Sequence, residues 1–142
     1  MLSADAIAAA ARNLDEAERT RSQIRMISLA HPEMVIDDAY AIQREWMRLK
    51  VAAGRSVKGH KIGLTSKAMQ QAVGINEPDF GVLLDDMFFN DGGTVPTERF
   101  IGLRVEAELA FILNKPLEGA NCTIFDVLNA TDFVTPAIEI LD

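Results

Sequence analysis

The stretch RVEAELAF, residues 104–111, lies within an alternating run from Leu103 to Leu113, and PAIEILD, residues 136–142, follows after about thirty residues. Successive side chains of a strand take opposite faces. One face of the first run then carries Leu103, Val105, Ala107, Leu109, Phe111 and Leu113, with no polar member, and the other carries Arg104, Glu106, Glu108, Ala110 and Ile112. Glu106 and Glu108 therefore project side by side. Taken alone, two such carboxylates describe the solvated face of an antiparallel strand.

Glu139 changes that reading. It sits between Ile138 and Ile140, in a run apolar enough to be internal. A buried glutamate must be paired, protonated or bound to a metal. If the two runs are neighbouring strands, three carboxylates converge and require a cation. Oxygen-only ligation favours a hard divalent ion, Mg²⁺ or else Mn²⁺, over zinc or copper. Between the runs, TIFDVLNATDFV reads as a short helix with Thr123 as N-cap and Asp126 three residues on, so the end of the chain is β, helix, β.

Working outward, the front of the chain is helical. Ile7, Ala11, Leu14 and Ile24 recur at roughly helical spacing from Ser3 to about Arg25, with a possible break near Leu14 to Asp15. His31-Pro32 interrupts the pattern. The segment VIDDAYAIQREWMRLKVAAG predicts the clearest helix: Ala39, Ile42, Trp46 and Leu49 form its stripe, Asp37 and Asp38 suit its positive end, and Gly54 stops it. Trp46 is accordingly a core residue rather than a ligand platform. Beyond Gly54 the pattern predicts a short strand ending near Leu64, a helix from Ser66 and a loop closed by Pro78 and Gly81. Two short apolar runs broken by Asp85-Asp86 and a turn at Asn90 to Gly93 follow.

Composition excludes several classes. With 142 residues, 49% hydrophobic and 25% charged, the chain suits one globular domain with a real core. A net charge of -7 without a basic cluster argues against binding nucleic acid or an anionic membrane surface. The start, MLSADAIAAAARNLDEAERTR, does not read as a signal peptide, and no apolar run is long enough to span a membrane. Cys122, the one cysteine, cannot form an internal disulfide and fits a reducing compartment, the cytoplasm; with no His nearby in sequence to activate it, it is not read as a nucleophile.

AYAIQREW, GHKIGLTSKAMQ, EPDFGVLLDDMFF, RVEAELAF and ATDFVTPAIEILD, in this order and spacing, resemble the hydratase branch of the fumarylacetoacetate hydrolase superfamily. The likeness runs from about Gln23 onward. It implies an α+β fold, with an N-terminal helical region (residues 1–55) followed by the first half of a mixed β-roll (residues 56–142). It implies a homo-oligomer, and a chain that continues for roughly as many residues again, this one looking like an N-terminal half. It also implies that Glu106, Glu108 and Glu139 hold Mg²⁺, which chelates a small-molecule 2-oxo dicarboxylate, and that water is added to a 2-oxo-alkenoate in aromatic catabolism. Val35 stands where such proteins usually place a Ser or Thr N-cap.

Lys61 in GHKIG and Asp79 in EPDFG match active-site positions of that family. Lys61 would ketonise the substrate or steady its carboxylate, and Asp79 would orient Lys61 or the water. Without the resemblance, Lys61 is a solvated loop residue and Asp79 a turn former after Pro78. His60, adjacent to Lys61, points the opposite way on a strand and is structural. Arg21 and Arg25, one helical turn apart, could reach a distal substrate carboxylate or simply lie at the surface. Two further readings share these residues: a 2-oxo acid decarboxylase of the 4-oxalocrotonate type, and an inactive chain that only binds a partner.

Overall fold

The computed structural model describes residues 1–142. Its contacts divide into two compact units, Met1–Pro96 and Thr97–Asp142. No helix is long and apolar enough to cross a membrane.

The first unit opens with α1, Ala4–Thr20, whose start is capped by the Ser3 hydroxyl accepting from the Ala6 N–H at 3.2 Å. The helix is unbroken through Leu14 and Asp15. It ends earlier than the periodicity predicts: Arg21 takes a left-handed conformation, φ 52° and ψ 45°, which turns the chain off axis and leaves Ile24 outside the helix. After one short turn, α2 (Ile27–Ala30), comes α3, Ile36–Ala52. Val35 has no side-chain acceptor, and Asp38 supplies only the reciprocal half of a capping box. Its Oδ2 accepts from the Val35 N–H at 3.0 Å and its Oδ1 from the Leu2 N–H at 2.8 Å. The carboxylate is 3% exposed, and these two donors, Val35 first and Leu2 second, hold its pKa below the usual carboxylate range.

Alanines at 10 and 11 allow α1 to approach α3, where they bury against Ile42, with Ile7, Leu14, Trp46 and Leu49 at the margin. Trp46 is thus a core residue, as expected. The stripe differs by one member: Ala39 is exposed, and Asp38 occupies the buried position beside it. Lys50 closes the helix pair, its Nζ 3.0 Å from Asp15 and 2.6 Å from Glu18 and 5.8 Å from the Trp46 ring centroid.

Strand β1, Val57–Gly63, pairs antiparallel with β2, Asp79–Leu84. Between them lies α4, Lys67–Val73, capped by Ser66 and ended by Gly74 in the left-handed region at φ 73°. The expected loop closes at Pro78 rather than Gly81, because Asp79 to Gly81 already belong to β2 and pair in register with Lys61 to Gly63.

In the second unit, β3 (Arg104–Leu113) pairs antiparallel with β4 (Thr131–Leu141), joined through α5 (Ile124–Ala130). Thr123 and Asp126 form the predicted cap: Asp126 Oδ2 accepts from the Thr123 N–H at 2.7 Å and its hydroxyl at 2.6 Å. At the open end, Asp142 Oδ1 accepts from the Ile101 and Gly102 N–H groups, both at 2.7 Å. One face of this ladder holds Val105, Leu109, Phe111, Val134 and Ile138, all more than half exposed. A bare two-stranded ladder is marginal in water, and an exposed apolar face of this kind is unusual for a soluble monomer.

Candidate metal centre

Register decides the arrangement of the glutamates. Glu106 lies directly opposite Glu139, and Glu108 opposite Ala137. Directly paired residues of an antiparallel ladder share a face, so Glu139 is across from Glu106 and diagonal to Glu108. One carboxylate oxygen from each lies within 4.8 Å of the others. The convergence expected if the two runs were neighbouring strands is therefore present. Glu139 is half-buried rather than internal, as is Glu108, and Glu106 is exposed.

The donor set is all carboxylate, which suits a hard divalent cation. The three oxygens, within 4.8 Å of one another, are close enough for one such ion to draw on all of them. Like charges directly across a ladder are also destabilising without a counter-ion. The residues fit a magnesium-like ion.

Lys61 and Asp79 lie in the first unit, on one ladder. Lys61 pairs with Gly81 and Gly63 with Asp79, which places Lys61 and Asp79 on the same face as diagonal neighbours. Lys61 is half-buried, Asp79 is exposed, and His60 belongs to the opposite face, as alternation predicts. The start of β2 is fixed from α3: the Phe80 ring stacks on Tyr40 with centroids 4.5 Å apart, and Gln43 Nε2 donates to the Phe80 carbonyl at 3.1 Å.

Arg21 and Arg25 are not one helical turn apart. Arg21 is the left-handed residue that ends α1 and Arg25 lies in the irregular segment beyond it, both exposed. Their shared helical face does not exist, and with it goes the geometric reason for pairing them.

Two supporting residues escaped the sequence reading. Leu64, directly after β1, holds φ at 52°, a costly value for a side-chain-bearing residue. Gln70, 3% exposed, secures it: its Nε2 donates to the Leu64 carbonyl at 2.7 Å while its Oε1 accepts from Lys67 Nζ at 3.0 Å. A glutamine on a seven-residue helix carries no pattern that marks it as buried. Gly63 is the second, and its surroundings are taken up below.

With this geometry in view, the likeness to known proteins becomes specific. The chain is 66% identical over 132 residues to a 2-oxo-hept-4-ene-1,7-dioate hydratase of Escherichia coli, covering 93% of this chain and 49% of that one. It is 40% identical over 141 residues to a 4-oxalocrotonate decarboxylase of Pseudomonas sp. strain CF600, covering 99% of this chain and 53% of that one. This chain is a relative of these hydratases and decarboxylases. A solved 4-oxalocrotonate decarboxylase from Pseudomonas putida G7, complexed with magnesium and adipate, superposes with a TM-score of 0.94 at 35% identity, covering all of this chain and 54% of that one. No protein-family model matches the chain. The chain spans about half the length of the curated relatives it matches. The hydratase resemblance read from the five motifs agrees with these relatives, and the mixed helix and sheet architecture agrees with the superposed structure.

Proposed function

We propose that this chain contributes the metal site of a magnesium-dependent hydratase that adds water at C4 of 2-oxohept-4-ene-1,7-dioate, giving 4-hydroxy-2-oxoheptanedioate, in the catabolism of 4-hydroxyphenylacetate. The observation that carries the reading is the meeting of Glu106, Glu108 and Glu139 oxygens within 4.8 Å on one ladder. The 66% identity to a hydratase of that name favours this substrate over shorter ones.

Glu106, Glu108 and Glu139 would hold the ion. When bound, a divalent cation supplies Lewis acidity toward the carboxylate and keto oxygens of a 2-oxo acid. Lys61 holds or moves the proton at the carbon skeleton, or steadies the substrate carboxylate, and Asp79 orients Lys61 or the attacking water. Their shared face and diagonal register support the pairing. Arg25 and Arg21 would recognise the distal carboxylate only by a route other than a common helix face. Residues 1–55 act as a supporting helical region and residues 56–142 as the start of the catalytic β-roll. The exposed apolar face of β3 and β4 supports a roll completed within a homo-oligomer. A cytoplasmic enzyme agrees with the lone Cys122 thiol.

Decarboxylation of a 4-oxalocrotonate-type acid is the second reading, favoured by the superposition on a decarboxylase at 35% identity. Loss of the dienoate ultraviolet absorbance, followed with and without Mg²⁺ on wild type and Glu106→Gln, tests both. The hydratase predicts Mg²⁺-dependent turnover, no CO₂, and a loss of more than about 100-fold in the variant, since even outer-shell partners of a metal are worth 10- to 100-fold. CO₂ release decides for the decarboxylase. Metal-independent turnover or an unimpaired variant sinks the mechanism, and no turnover with Mg²⁺ bound is the result expected of a chain that only binds a partner.

A further inference from the structure

The face of the β1–β2 ladder that carries Lys61 is rich in glycine, with Leu83 opposite Gly59 as its apolar member. Gly59 and Gly63 flank Lys61 along β1, Gly81 lies opposite, and Asp79 stands opposite Gly63. Glycine weakens a strand interior, so its presence there asks for a local reason. At Gly63 the reason is not backbone conformation, because Gly63 is not among the residues with positive φ. Space supplies it. A Cβ added at Gly63 would sit 3.2 Å from Asp79 Cγ and 3.6 Å from Oδ2, and well inside contact distance of Oδ1. The Asp79 carboxylate thus occupies the volume that any other residue at 63 would fill. At Gly81, by contrast, an added Cβ meets nothing within 4 Å.

We propose that Gly63 is a positioning residue: its missing side chain is the seat in which the Asp79 carboxylate lies folded across the ladder, on the face of Lys61. The proposal rests on the reading of Asp79 as an active-site group. Because Oδ1 is the far end of a flexible side chain, a methyl at 63 moves the carboxylate rather than the backbone. Function should then fall while the fold stands.

The test is a double-mutant cycle in the full-length protein, with Gly63→Ala, Asp79→Ala and both together, and Gly81→Ala as a control on the same ladder. Gly63→Ala is expected to lose kcat on the order of 100-fold, the scale of an ångström-sized misplacement, with KM near wild type. In the Asp79→Ala background the same change should cost nothing further, and Gly81→Ala should stay within about twofold of wild type. A crystal structure of Gly63→Ala should show the carboxylate rotated away from β1. A Gly63→Ala loss that persists at full size without the Asp79 carboxylate, or a carboxylate that has not moved, overturns the positioning role and leaves the reading of Asp79 intact. Wild-type turnover in Asp79→Ala instead removes that reading, and this role with it. Should Gly63→Ala fail to fold, the double variant decides: it folds if the clash is with the carboxylate, and fails as well if Gly63 serves the backbone, which overturns the proposal.

Discussion

The α1–α3 helix pair and the β3–β4 ladder have opposite internal economies. In the helix pair the apolar stripe is closed: Ala10, Ala11 and Ile42 are buried, and the charged groups nearby have partners, Lys50 between Asp15 and Glu18, Asp38 between two backbone N–H groups. In the ladder one face exposes Val105, Leu109, Phe111, Val134 and Ile138, and the other gathers three carboxylates within 4.8 Å. The helix pair buries its own apolar stripe. The ladder is a platform whose two faces ask for different things, an apolar cover and a cation.

Truncating the same residue type in both regions gives the largest contrast. Ile42 is 2% exposed and Ile138 is 67% exposed. In the 142-residue chain Ile42→Ala should cost about 2–5 kcal/mol, the range for a buried aliphatic residue. Ile138→Ala should stay within about 0.5 kcal/mol. Urea unfolding of both variants checks this, and a large loss at Ile138 would mean that the ladder's apolar face is already covered in the isolated chain.

The cation gives the next largest effect. Bound only by the folded state, Mg²⁺ at 100 times its dissociation constant should stabilise wild type by about 2.7 kcal/mol. Glu139→Gln should abolish that gain. Thermal melts with EDTA and with Mg²⁺ on both proteins read this difference. Stabilisation of wild type and variant alike by Mg²⁺ would place its binding elsewhere.

What was legible in the sequence follows the same division. The period of two in Leu103 to Leu113 was enough to put Glu106 and Glu108 on one face, and the register then brought Glu139 opposite Glu106. Side-chain alternation is a strictly local rule, so it survives without knowledge of the fold. The helix α3 was legible for the same reason, through Ile42, Trp46 and Leu49. What failed depended on pairing across the fold or on backbone conformation that residue type does not announce. Asp79 reads as a turn residue after Pro78 until β1 pairs with it. Arg21 ends α1 by taking a left-handed conformation that nothing in its residue type announces. Gln70 is buried by a carbonyl six residues back, and Gly63 is selected by a carboxylate sixteen residues ahead.

The smallest expected effect lies in how the helix pair secures its own end. Asp38 accepts from the Val35 N–H at the entry to α3 and ties the N-terminal segment to that helix through the Leu2 N–H. Those two donors favour the ionised carboxylate, so its pKa in the folded state lies below that of the unfolded chain, where an aspartate titrates near about 3.9. The unfolded chain then binds more protons in the interval between the two values. The stability Asp38 contributes is in full force above about pH 4 and is lost as pH falls through the lower, folded value. Asp38→Asn keeps the shape but leaves one acceptor oxygen for two donors. It should melt a few degrees below wild type at pH 7, and the gap should narrow as both are titrated below about pH 4. A gap that stays constant to pH 2 would mean that Asp38 acts through shape and burial alone. Asp126, held below the usual carboxylate range by Thr123 in the second unit, provides the matched comparison. It caps a seven-residue helix beside an uncovered ladder, so Asp126→Asn should shift the melting curve less, since little cooperative structure depends on that helix end.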